Sequence, residues 1–200
     1  MNLPGIEFFA TVFEPAYCKW LLEDARRALR EGREFARSNF EWDRNIVRAS
    51  APVLVRDFHP MAARFILSDL NANGIIEGYG YDVMNYAWCP LSYIPWHNDG
   101  HVDCAATVFL NEHWDPNWGG LFLYRESEET QIKAFAPSFN SGFRNDGHIR
   151  HATSMVAMDA PEPRFTLQIF AKPPKAGSSA TEDGWTRPSQ ASPVSPPAPL

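Results

Sequence analysis

Cysteine is scarce in this 200-residue chain: Cys18, Cys89 and Cys104 are the whole set, odd in number, widely spaced and without a C-x-x-C pair. That excludes a disulfide framework and leaves reduced, buried thiols in a reducing cytoplasm as the expectation. Basic residues are outnumbered, 18 Lys and Arg against 24 Asp and Glu for a net charge of −6, and none of them gather into a run. Nucleic acid is therefore not expected as a partner, because a basic stripe is its footprint. No apolar stretch reaches the length needed to span a membrane, and no basic segment followed by an apolar run opens the chain. A cytoplasmic protein without membrane association is expected. A glycine-rich phosphate loop and a G-x-S-x-G elbow are both missing. Cys104 sits among apolar residues with no cation pattern to activate it, so thiol catalysis is not expected either.

What is present fits one globular domain. Hydrophobic residues make up 44% and aromatics 14%, with seven Trp, which points to a thick core or an aromatic-lined pocket. Phe8–Val12 reads as a short entering strand. Glu14-Pro15 then opens a helix whose apolar stripe is Leu21, Leu22, Ala25, Ala28 and Leu29. A second helix is expected from near Asp57 and Pro60 to Asn73-Gly74, through Ala62, Ala63, Ile66, Leu67 and Leu70. Residues 35–56 are mixed, with Val53–Val55 suggesting a short strand and the remainder a substrate-selecting lid. From Gly74 onward short strands alternate with turn residues. They are expected at Ile75–Gly80, Val83–Trp88, Tyr93–His97, Ala105–Leu110, Leu121–Tyr124, Gln131–Phe135, Ser141–Arg144, Ala152–Ala157 and Arg164–Ala171. This order predicts a mainly β fold with N-terminal helices: a double-stranded β-helix, or cupin-like jelly roll, buttressed by about two helices. The domain is expected over residues 1–172. Residues 173–200, rich in Pro, Ser and Ala, read as a disordered tail.

The chemistry gathers around His97 and Asp99. Two residues apart in a strand they would share a face, ~7 Å apart along the backbone. One imidazole and one carboxylate are two of the three ligands of a 2-His-1-carboxylate facial triad, which leaves one side of an octahedral ion open for reactants. His151, at the entry to a later strand, is the candidate for the third. Arg164 follows thirteen positions on, and its planar fork of donors suits a second carboxylate. Bland readings stand beside these: Arg164 as a surface ion pair and Tyr86 as a core aromatic. His101 could complete a compact zinc site with His97 and Asp99, but a turn at Gly100 breaks the alternation this needs. His59 reads as a helix-start residue, and His113 as a loop residue. Trp88 and Trp96 flank the His97 strand, mostly as core, with one expected at a substrate mouth.

Several further segments stand in a telling order. Tyr86, Cys89-Pro90 and Tyr93-Ile94-Pro95-Trp96 lead to His97. Thr107-Val108-Phe109-Leu110-Asn111-Glu112, Trp114 and Gly119-Gly120-Leu121-Phe122-Leu123-Tyr124 come next, and Ala136-Pro137-Ser138-Phe139-Asn140 precedes the distal histidine. From about Val83 to Phe170 this resembles the Fe(II)- and 2-oxoglutarate-dependent dioxygenases, specifically the prolyl-4-hydroxylase-like group. Many members carry H-x-V where this chain has His151-Ala152-Thr153, so His148 is a rival for the distal ligand, ranked below His151. The resemblance implies that His97, Asp99 and His151 hold Fe(II), and that Arg164 clamps the far carboxylate of 2-oxoglutarate. Thr166 and Tyr86 would be further donors to the co-substrate. It also implies O2 as oxidant, ascorbate as a reductant, and hydroxylation of a peptidyl or small-molecule C–H bond with release of succinate and CO2. With Asp99 as a ligand no site is left for chloride, which favours hydroxylation over halogenation. The competing expectation is a non-catalytic jelly-roll binding protein with a degenerate or zinc-filled site.

Overall fold

The computed structural model describes residues 5–32, 34–38, 53–77, 80–100, 102–125 and 131–172. The strands are β1 (Ile6–Phe9), β2 (Ala36–Ser38), β3 (Val53–Asp57), β4 (Gly80–Trp88), β5 (Ile94–His97), β6 (Cys104–Phe109), β7 (Phe122–Tyr124), β8 (Lys133–Phe135), β9 (Gly142–Asp146), β10 (His151–Thr153) and β11 (Arg164–Lys172). The helices are α1 (Pro15–Arg30) and α2 (Pro60–Ala72), with a 3-10 turn at Pro116–Trp118. The expected tail, the middle of the expected lid and His101 lie outside the described residues. None of the described helices is long and apolar enough to cross a membrane.

Both helices begin where local chemistry dictates. The Glu14 carboxylate accepts from Tyr17 N, with Pro15 in the first turn of α1. His59 Nδ1 accepts from Met61 N, with Pro60 opening α2. The stripe Cys18, Leu21, Leu22, Ala25 and Ala28 of α1 and the residues Ile66, Leu67 and Leu70 of α2 are the buried faces.

A seven-stranded sheet, ordered β1-β9-β6-β11-β4-β3-β2, and a four-stranded sheet, ordered β5-β10-β7-β8, make up the β core. All their pairings are antiparallel. Side-chain alternation sorts the large sheet into two faces. Phe165, Leu167 and Ile169 of β11, Ala106 and Val108 of β6, and Val83 and Ala87 of β4 pack in one cluster with the helices. The opposite face meets the small sheet: Tyr86 and Trp88 pack with Ile94, and Phe109 and Phe143 with Phe122 and Tyr124. The result is three layers, helices on large sheet on small sheet, and the jelly roll is the observed fold. Central strand β11 is buried on both faces, with Phe165, Leu167 and Ile169 toward the helices and Arg164, Thr166 and Gln168 alternating with them on the other face.

The segment expected as a strand over Ile75–Gly80 is different. Ile75 and Ile76 are buried in the bend after α2, where Ile75 N donates to Leu70 O and Gly74 adopts φ +71°. Their apolar character serves the helix-to-sheet junction rather than a ladder. β10 ends at Thr153, but the antiparallel register expected over Ala152–Ala157 carries on past it: Ser154 N donates to Leu121 O, Gly120 N to Met155 O, and Val156 bridges to Gly119.

The turn from the 3-10 segment into β7 depends on two glycines. Gly119 adopts φ 66°, ψ −143°, and a Cβ there would lie 2.0 Å from Met155 O. Gly120 has φ +63°, and its Cβ would press on Arg164 Cδ at 2.9 Å. Only glycine satisfies both constraints at Gly119. Gly119→Ala is expected to destabilise the fold by at least about 2 kcal/mol. Leu167→Ala, in the middle of β11, should cost about 2–5 kcal/mol. Urea denaturation followed by circular dichroism measures both.

Candidate metal and carboxylate site

β10 lies between β5 and β7, and its register places His151 directly opposite His97 on one side and Tyr124 on the other. Cross-strand partners present their side chains to the same face of a sheet, so the two imidazoles meet, with ring centroids 4.3 Å apart. Asp99 reaches the site from the turn expected there and not from a shared strand face. β5 ends at His97, and Asp99 lies two residues beyond it in a turn closed by Val102 N donating to Asp99 O. Gly147 packs against that turn so closely that a Cβ would sit 2.0 Å from Val102 O and 2.8 Å from Asp99 O. The loop before His151 thus fixes the Asp99 turn, a role invisible in the spacing of ligands.

The Asp99 carboxylate stands 3.7 Å from His97 Nε2 through Oδ1 and 3.5 Å from His151 Nε2 through Oδ2. One ligand atom from each of the three residues falls within 4.8 Å of the others. Ligands sharing one face of an octahedral ion lie about 3 Å from each other, so both histidine–carboxylate gaps need to close by less than about 1 Å. The tautomers agree with this use. His97 Nδ1 donates to Pro95 O at 2.8 Å and His151 Nδ1 to Ile149 O at 2.9 Å. A carbonyl oxygen can only accept, so each Nδ1 carries the proton and each Nε2 keeps a lone pair for a cation. Burial lowers the pKa of His151, against the opposing pull of the Ile149 carbonyl, and keeps its ring neutral. His148 does not join the cluster: it is exposed, its N–H bound to the Asp146 carboxylate.

Deeper between the sheets, the Arg164 guanidinium is 2% exposed. Nη1 donates to Gly120 O at 2.7 Å, and the group lies over the rings of Trp88 at 4.5 Å and Phe109 at 5.5 Å. Nε has no hydrogen-bond partner, and no carboxylate among the described residues pairs with the charge. Burial brings its pKa down to about 9, still well above neutrality, so a cation is held here without a counter-ion. An unpaired buried charge is costly and marks a place built for an anion. Arg164 is not a surface ion pair. Thr166, fully buried, shares its face, two residues along β11. Tyr86 points into the same interior, its ring 5.9 Å from Trp88, and its phenol pKa is raised by burial first and by the negative charge of Asp99 second.

The sequence reading assigned Trp88 to packing or to a substrate mouth. It is a core residue, fully enclosed against Arg164, with its Nε1 donating to Thr166 Oγ1 at 3.0 Å. Trp96 is half-buried under the Arg125 guanidinium, 5.1 Å away. Asn111 is legible in the sequence as part of a motif, and the structure gives it a role. Its amide accepts from Phe165 N and donates to Pro163 O, holding the backbone on both sides of Arg164.

No family model matches this sequence, and no curated protein matches it at the sequence level. Solved structures do match. A prolyl-4-hydroxylase from Pseudomonas putida superposes with a TM-score of 0.65 at 16% identity, over 84% of this chain and 92% of that one. A prolyl hydroxylase from Trichoplax adhaerens, in complex with a peptide fragment of the hypoxia inducible factor oxygen degradation domain, gives 0.66 at 15% identity, over 84% and 83%. HygX from Streptomyces hygroscopicus, with nickel, 2-oxoglutarate and hygromycin B bound, gives 0.60 at 10% identity, over 85% and 84%. These likenesses far outrun sequence identity and cover nearly the whole described chain. The chain therefore has the fold shared by these prolyl hydroxylases and this 2-oxoglutarate-binding protein.

Proposed function

We propose that the chain is an Fe(II)- and 2-oxoglutarate-dependent dioxygenase that hydroxylates an unactivated C–H bond of a peptidyl or small-molecule substrate. The observation that carries this reading is the pairing of two features in one interior: a convergent His97–Asp99–His151 cluster and a buried guanidinium with no carboxylate partner among the described residues. A cation site alone fits many proteins. A cation site beside a carboxylate receptor fits a keto dicarboxylate that bridges them.

In this reading His97 Nε2, His151 Nε2 and the Asp99 carboxylate hold the ion on one side and leave the other for reactants. Bound Fe(II), with 2-oxoglutarate and O2, supplies the oxidation: one oxygen atom goes to the C–H bond, the other to succinate, and CO2 is lost. The protein's share is orientation and exclusion of water. The carbonyls of Pro95 and Ile149 fix both imidazole planes. Arg164 would receive the far carboxylate, while Gly120 O holds Nη1 and the rings of Trp88 and Phe109 shield the group from water. Thr166 adds a hydroxyl donor, and Tyr86 a further donor close to Asp99. Ascorbate would be the external reductant for such an ion. A site for either peptides or small molecules is compatible with the fold, since the similar structures include one with a peptide and one with hygromycin B named in their complexes.

Two measurements test this. Titrating Co(II) into the metal-free protein should show one site whose affinity falls at least about 100-fold in His151→Ala. The same titration of His148→Ala should stay within about twofold of wild type, as for a surface change. Equal losses in both variants would move the distal ligand. Anaerobic incubation with Fe(II), ascorbate and 2-oxoglutarate, then exposure to O2 with a panel of prolyl peptides and amino acids, is expected to yield succinate. Arg164→Met should lower the yield at least about tenfold at limiting 2-oxoglutarate. A wild-type protein that neither binds 2-oxoglutarate in a metal-dependent way nor forms succinate is not a dioxygenase of this kind.

A further inference from the structure

We infer that Trp88 is the positioning residue of the carboxylate receptor: its ring face seats the Arg164 guanidinium while its indole N–H makes the Thr166 hydroxyl a donor. The inference rests on the function proposed above and deepens its co-substrate site.

The argument starts from what a threonine hydroxyl can do. Its oxygen has two lone pairs and one proton. In this chain Thr166 Oγ1 accepts from Trp88 Nε1 at 3.0 Å and from Gln168 Nε2 at 3.1 Å. Gln168 Oε1 accepts from Thr107 Oγ1 at 2.9 Å, which leaves the amide N–H of Gln168 on the side of Thr166. Both lone pairs of Thr166 are thereby occupied. Only the proton remains, and among the described residues no acceptor is bonded to it. Thr166 is fully buried, so bulk water does not take that proton.

The same indole reaches the other half of the receptor. Its ring lies 4.5 Å from the Arg164 guanidinium carbon, a cation–π distance, in the register position directly across the β11–β4 ladder from Arg164. Arg164 Nε–H is likewise without an acceptor. One side chain thus touches two neighbouring groups, each left with an unspent donor, and neither donor faces a carboxylate of the described chain. A ligand that accepts from both is a carboxylate set back from the metal ligands. Trp88 acts through Arg164 and Thr166 and need not touch the ligand. Its role is to fix which atoms of the receptor donate.

Phenylalanine at position 88 keeps a ring for Arg164 but has no N–H, which frees a lone pair on Thr166 and lets its proton rotate away from the ligand. The test uses Ni(II)-loaded protein and calorimetric titration with two keto acids, 2-oxoglutarate and 2-oxopentanoate. They share a five-carbon chain and differ by the far carboxylate. Wild type is expected to prefer 2-oxoglutarate by at least about 100-fold. Trp88→Phe should reduce 2-oxoglutarate affinity about tenfold. Ni(II) and 2-oxopentanoate affinities should then stay within about twofold of wild type. Thr166→Val should do the same, and the double variant should be no worse than the weaker single variant, because both remove one donor. Thr166→Ser should keep wild-type affinity.

Equal loss of both keto acids in Trp88→Phe, no loss, or full additivity with Thr166→Val would overturn the inference. A wild-type protein that binds 2-oxoglutarate without preferring it to 2-oxopentanoate also overturns it, whereas one that binds neither keto acid removes the proposed function itself. If Trp88→Phe fails to fold, nitrogen-15 tryptophan labelling of the Zn(II)-loaded wild type keeps the question open to decision. The Trp88 indole resonance should move on adding 2-oxoglutarate and stay still with 2-oxopentanoate. An unmoved resonance at saturation counts against the role.

Discussion

The interior of this protein is organised by one unbalanced charge. Arg164 sits at the head of a strand buried on both faces, beneath two aromatic rings and without a carboxylate partner among the described residues. A globular core ordinarily removes such a group or pairs it. Here the surroundings do the reverse and hold it in place. Gly120 lacks the side chain that would displace it and offers its carbonyl, and Asn111 grips the backbone on either side. Asn111 also donates to Glu162, whose carboxylate accepts from Arg26 of α1 at 2.6 and 2.8 Å. The helix layer therefore reaches the receptor through a chain of polar contacts as well as through apolar packing.

The second constraint is a register. His151 pairs with His97 across β5 and β10, so a slip of one residue would turn one imidazole out of the sandwich. Short strands have little ladder to resist such a slip. The resistance comes from the loops: Ser154 Oγ accepts from Leu121 N, Val156 N donates to Ser92 O, and Arg125 N donates to Arg150 O. These bonds flank the short β10 ladder on both sides and hold its alignment.

Residue type and order carried much of this in the sequence. A histidine and an aspartate before a glycine, a later histidine at a strand entry, and an arginine heading the last apolar run are legible because the side chains have few other uses in that order. The two helices were legible through their caps and stripes, and β11 through its length. Where the reading failed, the deciding information lay across the fold. Ile75 and Ile76 look like a strand until the helix they close onto is known. Trp88 looks like filler because the partner of an indole N–H is a matter of three dimensions, here a threonine 78 positions away. The turn at Asp99 is legible in Asn98-Asp99-Gly100, but the remote Gly147 packed against it is not. Alternation along one strand predicts a shared face; it does not predict which loop will supply the last ångström.

The claim on which the account stands is that the His97–Asp99–His151 cluster and the Arg164 receptor serve one ligand-bearing ion. Anomalous diffraction at the iron edge from a crystal soaked anaerobically with Fe(II) and 2-oxoglutarate tests it directly. The account predicts one strong peak between His97 Nε2, His151 Nε2 and the Asp99 carboxylate, with density continuing from it to the Arg164 guanidinium. A peak elsewhere, or a filled metal site with no density reaching Arg164, would contradict it.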